Sequence, residues 1–171
     1  MPETEFPDPL SLFPPGRRAG LERLEDFVPR SGRKYAATRN ADPGPGRKHN
    51  VSQLSPYLRH RLITEREVVA AVLEKYAPST AEKFIQEVLW RTYWKGWLQM
   101  RPQVWRAYLE ERDEDRSRID DNAGLQRALA EAEEGRTGID CFDDWARELV
   151  ATGYLHNHAR MWFASIWIFT L

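Results

Sequence analysis

Residues 64–91 read TEREVVAAVLEKYAPSTAEKFIQEVLWR, and this stretch decides the fold class. Thr64 and Glu67 have the spacing of a capping box, in which a hydroxyl and a carboxylate close reciprocal hydrogen bonds over the first helical turn. Val68, Val69, Val72 and Leu73 follow at a helical period. A second box, Ser79 with Glu82, opens a longer helix with Phe84, Ile85, Val88 and Leu89 on one side. The pattern continues outward in both directions. Upstream, Leu21, Leu24, Phe27 and Val28 keep a helical period. Downstream, Pro102 starts a helix carrying Val104, Trp105 and Tyr108. Asn122 caps one holding Leu125, Ala128, Leu129 and Ala132. Asp140 caps a segment with Trp145, Leu149 and Val150, which Gly153 stops. Only the closing residues, rich in Ile, Trp and Phe, read equally as helix or strand. No strand alternation, βαβ spacing or internal repeat appears, so the expected fold class is all-α.

Length and charge bound the function. A chain of 171 residues suits one domain, and 42% hydrophobic residues suit a globular protein rather than a membrane-spanning one. One cysteine, Cys141, excludes a disulfide framework and any multi-cysteine metal site. The start, MPETEFPDPL, has neither the basic nor the apolar region of a signal peptide, so the default compartment is the cytoplasm. The net charge of −1 conceals a division. Residues 27–61 carry eight Lys or Arg against one acid, whereas residues 110–148 carry fourteen acids against six bases. The basic arm contains Gly, Pro and few large apolar residues, which makes it loop-like and available to an anion. Met161 to Leu171 contains no charge, cap or turn residue and is too short to span a bilayer. Such a segment needs burial on nearly all sides, and its exposure would invite association. The expectation is a chain that stops partway through its domain.

Three constellations can carry chemistry. Asn50-Val-Ser-Gln-Leu-Ser-Pro-Tyr-Leu58 follows basic Arg47-Lys48-His49; its hydroxyls and the turn before Pro56 suit a phosphate, or merely start a helix. Glu87-Val-Leu-Trp-Arg91-Thr-Tyr-Trp94 puts Glu87 and Arg91 one turn apart, beside Trp90. That is an i,i+4 ion pair, or a carboxylate and a flat ring able to hydrogen-bond and stack on a base. Aromatic residues at 90, 93, 94 and 97 argue against a solvent face. Finally, Tyr154, Asn157, Arg160 and Met161 fall near one helical face, polar within an apolar stretch, and would need partners if turned inward. His156 and His158 diverge at i,i+2 spacing, so no metal site is expected.

Taken in order, these segments resemble the flavin-binding helical domain of the DNA photolyase/cryptochrome family. The resemblance begins near Phe13-Pro-Pro-Gly-Arg-Arg-Ala-Gly-Leu-Glu-Arg-Leu and runs through Tyr35-Ala-Ala-Thr-Arg39, Ser52-Gln-Leu-Ser-Pro-Tyr-Leu58 and Glu87-Val-Leu-Trp-Arg91. It continues with Thr137-Gly138, Asp143 and Arg147-Glu-Leu149, and closes on Thr152-Gly-Tyr-Leu-His-Asn-His-Ala-Arg-Met161. The Pro-rich start, residues 1–16, is expected to be a flexible segment, and the resemblance implies a partial FAD-binding domain over 17–171, truncated at its C-terminal side.

The resemblance also implies roles. Tyr35 and the loop Ser52, Gln53, Leu54 and Ser55 match the family's contacts to the FAD phosphates. Arg91 matches a residue that supports the cofactor, and Phe84 stands where many relatives have Trp. Glu87 and Trp90 match the pair that receives a flipped pyrimidine dimer, by hydrogen bonding and by stacking. Asn157 and Arg160 match residues beside the isoalloxazine; Asn157 and Met161 also match lesion contacts. Members that repair (6-4) photoproducts carry histidines at the positions of Asn157 and Met161, so the cyclobutane-dimer type is expected, with dimer-containing DNA as partner. Asp140 and Tyr154 replace the family's usual Pro and Trp. The resemblance implies that these 171 residues match neither the family's N-terminal α/β domain nor its C-terminal part, which supplies acidic residues around the flavin and most of a tryptophan chain. Two other readings stay open: a light-sensing cryptochrome-type flavoprotein, and a non-catalytic remnant that self-associates through residues 161–171.

Overall fold

The structure, a computed structural model, describes residues 8–44, 47 and 50–171. Residues 1–7 of the Pro-rich start, and Lys48 and His49 of the basic arm, lie outside the described residues. All regular structure among the described residues is helical, as expected. The helices are α1 (Pro9–Leu12), α2 (Arg17–Phe27), α3 (Arg33–Thr38), α4 (Ser55–Arg59), α5 (Glu65–Lys75), α6 (Pro78–Gln99), α7 (Pro102–Asp120), α8 (Ala123–Glu133), α9 (Asp140–Thr152) and α10 (Asn157–Phe169), with a 3-10 turn at Val28–Arg30. The chain falls into two units, Met1–Tyr93 and Trp94–Leu171. No described helix is long and apolar enough to cross a membrane.

The first unit is built on the apolar faces of α2, α5 and α6. Phe27, Ile63, Val68 and Val72 are at most 1% exposed; a side chain of this size contributes about 1.5–3 kcal/mol when fully buried. Within the Pro-rich start, α1 forms one turn, Phe13 packs against this core, and the Pro14 carbonyl accepts a 3.0 Å hydrogen bond from the Tyr57 hydroxyl.

The capping box of α5 forms as read. The Glu67 amide donates to Thr64 Oγ1 (3.3 Å), and the Thr64 amide donates to Glu67 Oε2 (2.8 Å). Arg17 adds an ion pair to Glu67. The Arg17 guanidinium and the Thr64 hydroxyl and amide together hold the Glu67 carboxyl at a pKa of about 2. A lowered folded-state pKa means stabilisation that is complete above the ordinary carboxylate range and is lost as pH falls towards about 2. A carboxyl-carbon NMR titration is expected to show Glu67 shifting near about 2. A midpoint in the ordinary glutamate range would contradict the Arg17–Glu67 contact.

The second expected box does not form. Helix α6 starts at Pro78, which leaves Ser79 inside the first turn. Proline at the first helical position has a preset φ and no N–H to satisfy, so it displaces the serine as the starter.

In the second unit, Pro102 opens α7 and Asn122 caps α8, its Oδ1 accepting from the amides of Gly124 (2.9 Å) and Leu125 (3.1 Å). Gly153 ends α9 in the left-handed conformation at φ 65°. Asp140 is a correction: Ile139 occupies the cap position and Asp140 lies in the first turn. The carboxylate that organises this end belongs to Asp143, which accepts from the Thr137 amide (2.9 Å) and hydroxyl (2.7 Å) and from the Gly138 amide (3.0 Å). The inward face also differs, because Phe142 and Ala146 are buried while Leu149 and Val150 are exposed. Phe142 stacks on Phe163 of α10 with centroids 4.6 Å apart, and this ring pair sets the rotation of α9. The closing segment is thus helix α10. Phe163, Ile166 and Trp167 pack on the cluster of Ala132, Phe142 and Ala146, whereas Met161, Trp162, Ile168 and Phe169 stay exposed.

Candidate functional site

In the first unit the candidate residues lie on α3, α6 and the loop before α4. Tyr35 of α3 is 6% exposed and meets the Phe84 ring edge-on at 5.2 Å; Phe84 in turn leans on Phe27 at 4.9 Å. Phe84 is therefore a core ring. One turn later on α6, Glu87 forms an ion pair with Arg39, the residue that ends α3. Burial pushes the Tyr35 hydroxyl pKa up, the nearby Glu87 charge pushes the same way, and the hydrogen bond with Arg39 only partly offsets them. For Arg39 burial works against the charge, but the contacts to Glu87 and Tyr35 prevail and its pKa rises. The result is a carboxylate oriented by Arg39, one helical turn along α6 from the packed rings of Phe27, Tyr35 and Phe84.

The i,i+4 pair between Glu87 and Arg91 does not form. Arg91 turns to Glu65 of α5, its Nε 3.2 Å from Oε1 and out of line for a hydrogen bond, while Glu65 Oε2 accepts from Arg61 at 2.7 Å. Helix packing supplies each residue with a partner from another element, in place of a solvated partner on its own helix. Trp90, between them in sequence, is 49% exposed and meets Tyr93 edge-on at 5.3 Å. The aromatic run was expected to avoid solvent, yet Trp90, Tyr93 and Trp94 are each about half exposed. The buried residues of α6 are Ala81, Phe84 and Val88, so its inward face is complete before the aromatic run begins.

The loop 50–54 leads into α4. Ser52 is half-buried, Gln53 and Leu54 are buried, and Ser55 is exposed at the helix start. Leu54 is a core residue at 2% exposure. Gln53 adopts φ 53°, a left-handed conformation that costs a non-glycine residue energy. Its Oε1 accepts from Arg23 Nη1 at 2.9 Å. Its Nε2 is buried with no hydrogen-bond partner among the described residues. A buried orphan donor beside two serine hydroxyls suits a bound anion such as a phosphate.

In the second unit, His156 caps α10, its Nδ1 accepting from the His158 amide at 3.2 Å. Asn157 is the first helical residue and is exposed, as are Arg160 and Met161. Arg160 donates to the Leu155 carbonyl at 3.1 Å. Tyr154 is not on their face: it precedes the helix and is 8% exposed. Because α10 starts only at Asn157, Ala159 and Phe163 take the inward side.

Sequence reading missed three partners, Arg39 for Glu87, Glu65 for Arg91, and Arg23 for Gln53. Arg39 and Glu87 are 48 residues apart, and Arg23 and Gln53 are 30 apart. No local spacing rule links residues so far apart.

A family model described as the FAD binding domain of DNA photolyase matches residues 84–171. A deoxyribodipyrimidine photo-lyase from Thermus thermophilus is 36% identical over 162 residues, covering 93% of this chain and 36% of that protein. Another from Neurospora crassa is 28% identical over 162 residues, covering 91% of this chain and 25% of that protein. The crystal structure of a bacterial class III photolyase from Agrobacterium tumefaciens shares the fold, with a TM-score of 0.72 at 24% identity, over 94% of this chain and 32% of that one. The chain thus spans between a quarter and 36% of the length of these proteins.

Proposed function

The chain belongs to the family of the FAD binding domain of DNA photolyase, and from that premise we propose that it serves light-driven repair of cyclobutane pyrimidine dimers in DNA. The observation that carries this reading is the pairing on α6 of an oriented carboxylate, Glu87, with a half-exposed ring, Trp90. A flipped dimer offers N–H and carbonyl edges together with an apolar face, and such a pair can hydrogen-bond the one and stack on the other.

FAD is the cofactor that goes with this family. The loop donors fit its diphosphate: Ser55 is exposed, Ser52 is half-buried with a hydroxyl hydrogen to donate, and Gln53 Nε2 has a hydrogen bond to give. Arg91, half-buried beside Glu65, supports the cofactor in this proposal through the α5–α6 packing. Asn157 and Arg160 attend the ring system, and Asn157 and Met161 the lesion; their exposure on α10 leaves them accessible for both roles. Reduced FAD, when bound, supplies light-driven electron transfer, and the protein's part is to bind, orient and exclude water. The basic residues of 27–61 contribute phosphate contacts, which make DNA binding salt-sensitive.

Trp90→Ala is expected to weaken binding of a dimer-containing oligonucleotide by about 1–3 kcal/mol, the effect of losing one base stack, with binding to undamaged DNA unchanged. Fluorescence anisotropy with the two oligonucleotides checks this, followed by a repair assay in the light and in the dark. Equal loss on both DNAs, or none on either, would contradict the lesion-pocket assignment. Self-association belongs to the same proposal: Trp162, Ile168 and Phe169 are each at least 63% exposed on α10 and form an apolar surface of the kind that pairs proteins. Sedimentation that is independent of concentration would contradict it.

A further inference from the structure

We propose that Arg23, on α2, is a positioning residue that holds the Ser52–Ser55 loop in its ligand-ready geometry. This inference rests on the function reading above, which makes that loop the diphosphate site. Gln53 sits at φ 53°, where a side chain persists only if its surroundings hold it. What holds it is the Arg23 guanidinium, whose Nη1 donates to Gln53 Oε1 at 2.9 Å. The same group is fixed from its other side, because Nη2 donates to the Leu12 carbonyl at 2.5 Å. Its central carbon also lies 5.2 Å from the Phe13 ring centroid and 6.0 Å from that of Tyr57, a residue of α4.

One planar cation thus joins the segment before α2, the strained loop residue and the helix that follows the loop. The consequence is chemical as well as structural. With Oε1 taken by Arg23, the Gln53 amide is turned in one sense only, and its Nε2 is the group left with hydrogens to donate. An ammonium cannot reproduce this. It is a compact point donor, whereas the guanidinium gives two divergent N–H groups and a flat face together.

The test compares wild type, Arg23→Lys and the control Arg18→Lys. Arg18 is a largely exposed neighbour on the same helix, paired with Glu22 at 3.5 Å among the described residues. Amide hydrogen exchange read by mass spectrometry, FAD affinity by fluorescence titration and the thermal midpoint are measured for each. Arg23→Lys is expected to speed exchange at residues 52–55 at least tenfold and weaken FAD binding about five- to tenfold, with exchange in α5 unchanged. Arg18→Lys is expected to change none of these. Unchanged exchange in the loop overturns the inference, as does faster exchange spread evenly over the first unit, which is what simple destabilisation produces. Faster loop exchange with unaltered FAD affinity overturns it too. A wild-type chain that takes up no FAD contradicts the function reading instead, and the exchange comparison still decides whether Arg23 holds the loop.

Discussion

Replacing Phe84 with alanine is expected to cost about 3–5 kcal/mol of stability, the range for deleting a large aromatic from a packed core. The residue is 3% exposed and touches both Phe27 and Tyr35, so the cavity left behind is walled by rings that cannot collapse into it without leaving their own contacts. Domains of this size have about 5–15 kcal/mol in total, and the loss would take a large share of that. The effect reaches function through geometry: Phe84 buttresses Tyr35 on α3, and the α3–α6 packing brings Arg39 to Glu87. Urea denaturation of Phe84→Ala, with Leu89→Ala as a control at 51% exposure on the same helix, measures it. The control should change stability by no more than about 0.5 kcal/mol. A loss below about 1 kcal/mol at Phe84 would contradict its place in the core.

Gly135→Ala is expected to be the costliest small change in the second unit, at about 3 kcal/mol from left-handed strain of 1–2 kcal/mol plus a backbone clash. Gly135 has φ 64°, and a methyl group there would stand 2.6 Å from the Asp143 carbonyl oxygen. That oxygen belongs to α9 and cannot move aside as a side-chain tip would. The Gly135 carbonyl also accepts a 2.7 Å hydrogen bond from Arg147, which lies one turn beyond Asp143. Displacing the glycine disturbs both this bond and the Asp143 carboxylate that organises Thr137 and Gly138. Burial opposes ionisation of Asp143, but those hydrogen bonds prevail and its pKa is lowered. Its stabilisation is therefore complete above the ordinary aspartate range and is lost as pH falls below that range towards the lowered folded-state value. Gly96→Ala supplies the contrast, since a methyl group there meets nothing within 4 Å and its backbone is helical. It should be neutral or stabilising by about 0.5–1 kcal/mol. Equal thermal midpoints for the two variants would contradict the close packing at Gly135.

Legibility in the sequence followed the range of the interaction. The Thr64–Glu67 box, the Pro102 and Asn122 starts and the Gly153 stop were readable because each is complete within four residues. Ser79 and Asp140 misled where a competing local device, Pro78 in one case and Asp143 in the other, had the better geometry. The rotation of α9 was hidden because the Phe142–Phe163 stack, not the count of apolar residues, chooses its buried face. At the site, Glu87, Trp90 and the Ser52–Ser55 loop stood out by residue type and order. Their partners did not, since Arg39, Glu65 and Arg23 meet them only through folding. Tyr154 shows the same limit: it shares a helical period with Asn157, but the helix begins after it.

The most direct test of the central claim is the visible absorption spectrum of the purified chain after incubation with FAD and removal of the unbound flavin. One flavin retained per chain is expected, with a band shape altered from that of free FAD, and reduced retention when Arg91 is replaced by alanine. A colourless chain after removal of free flavin, with the far-ultraviolet spectrum of a folded helical protein, would contradict it.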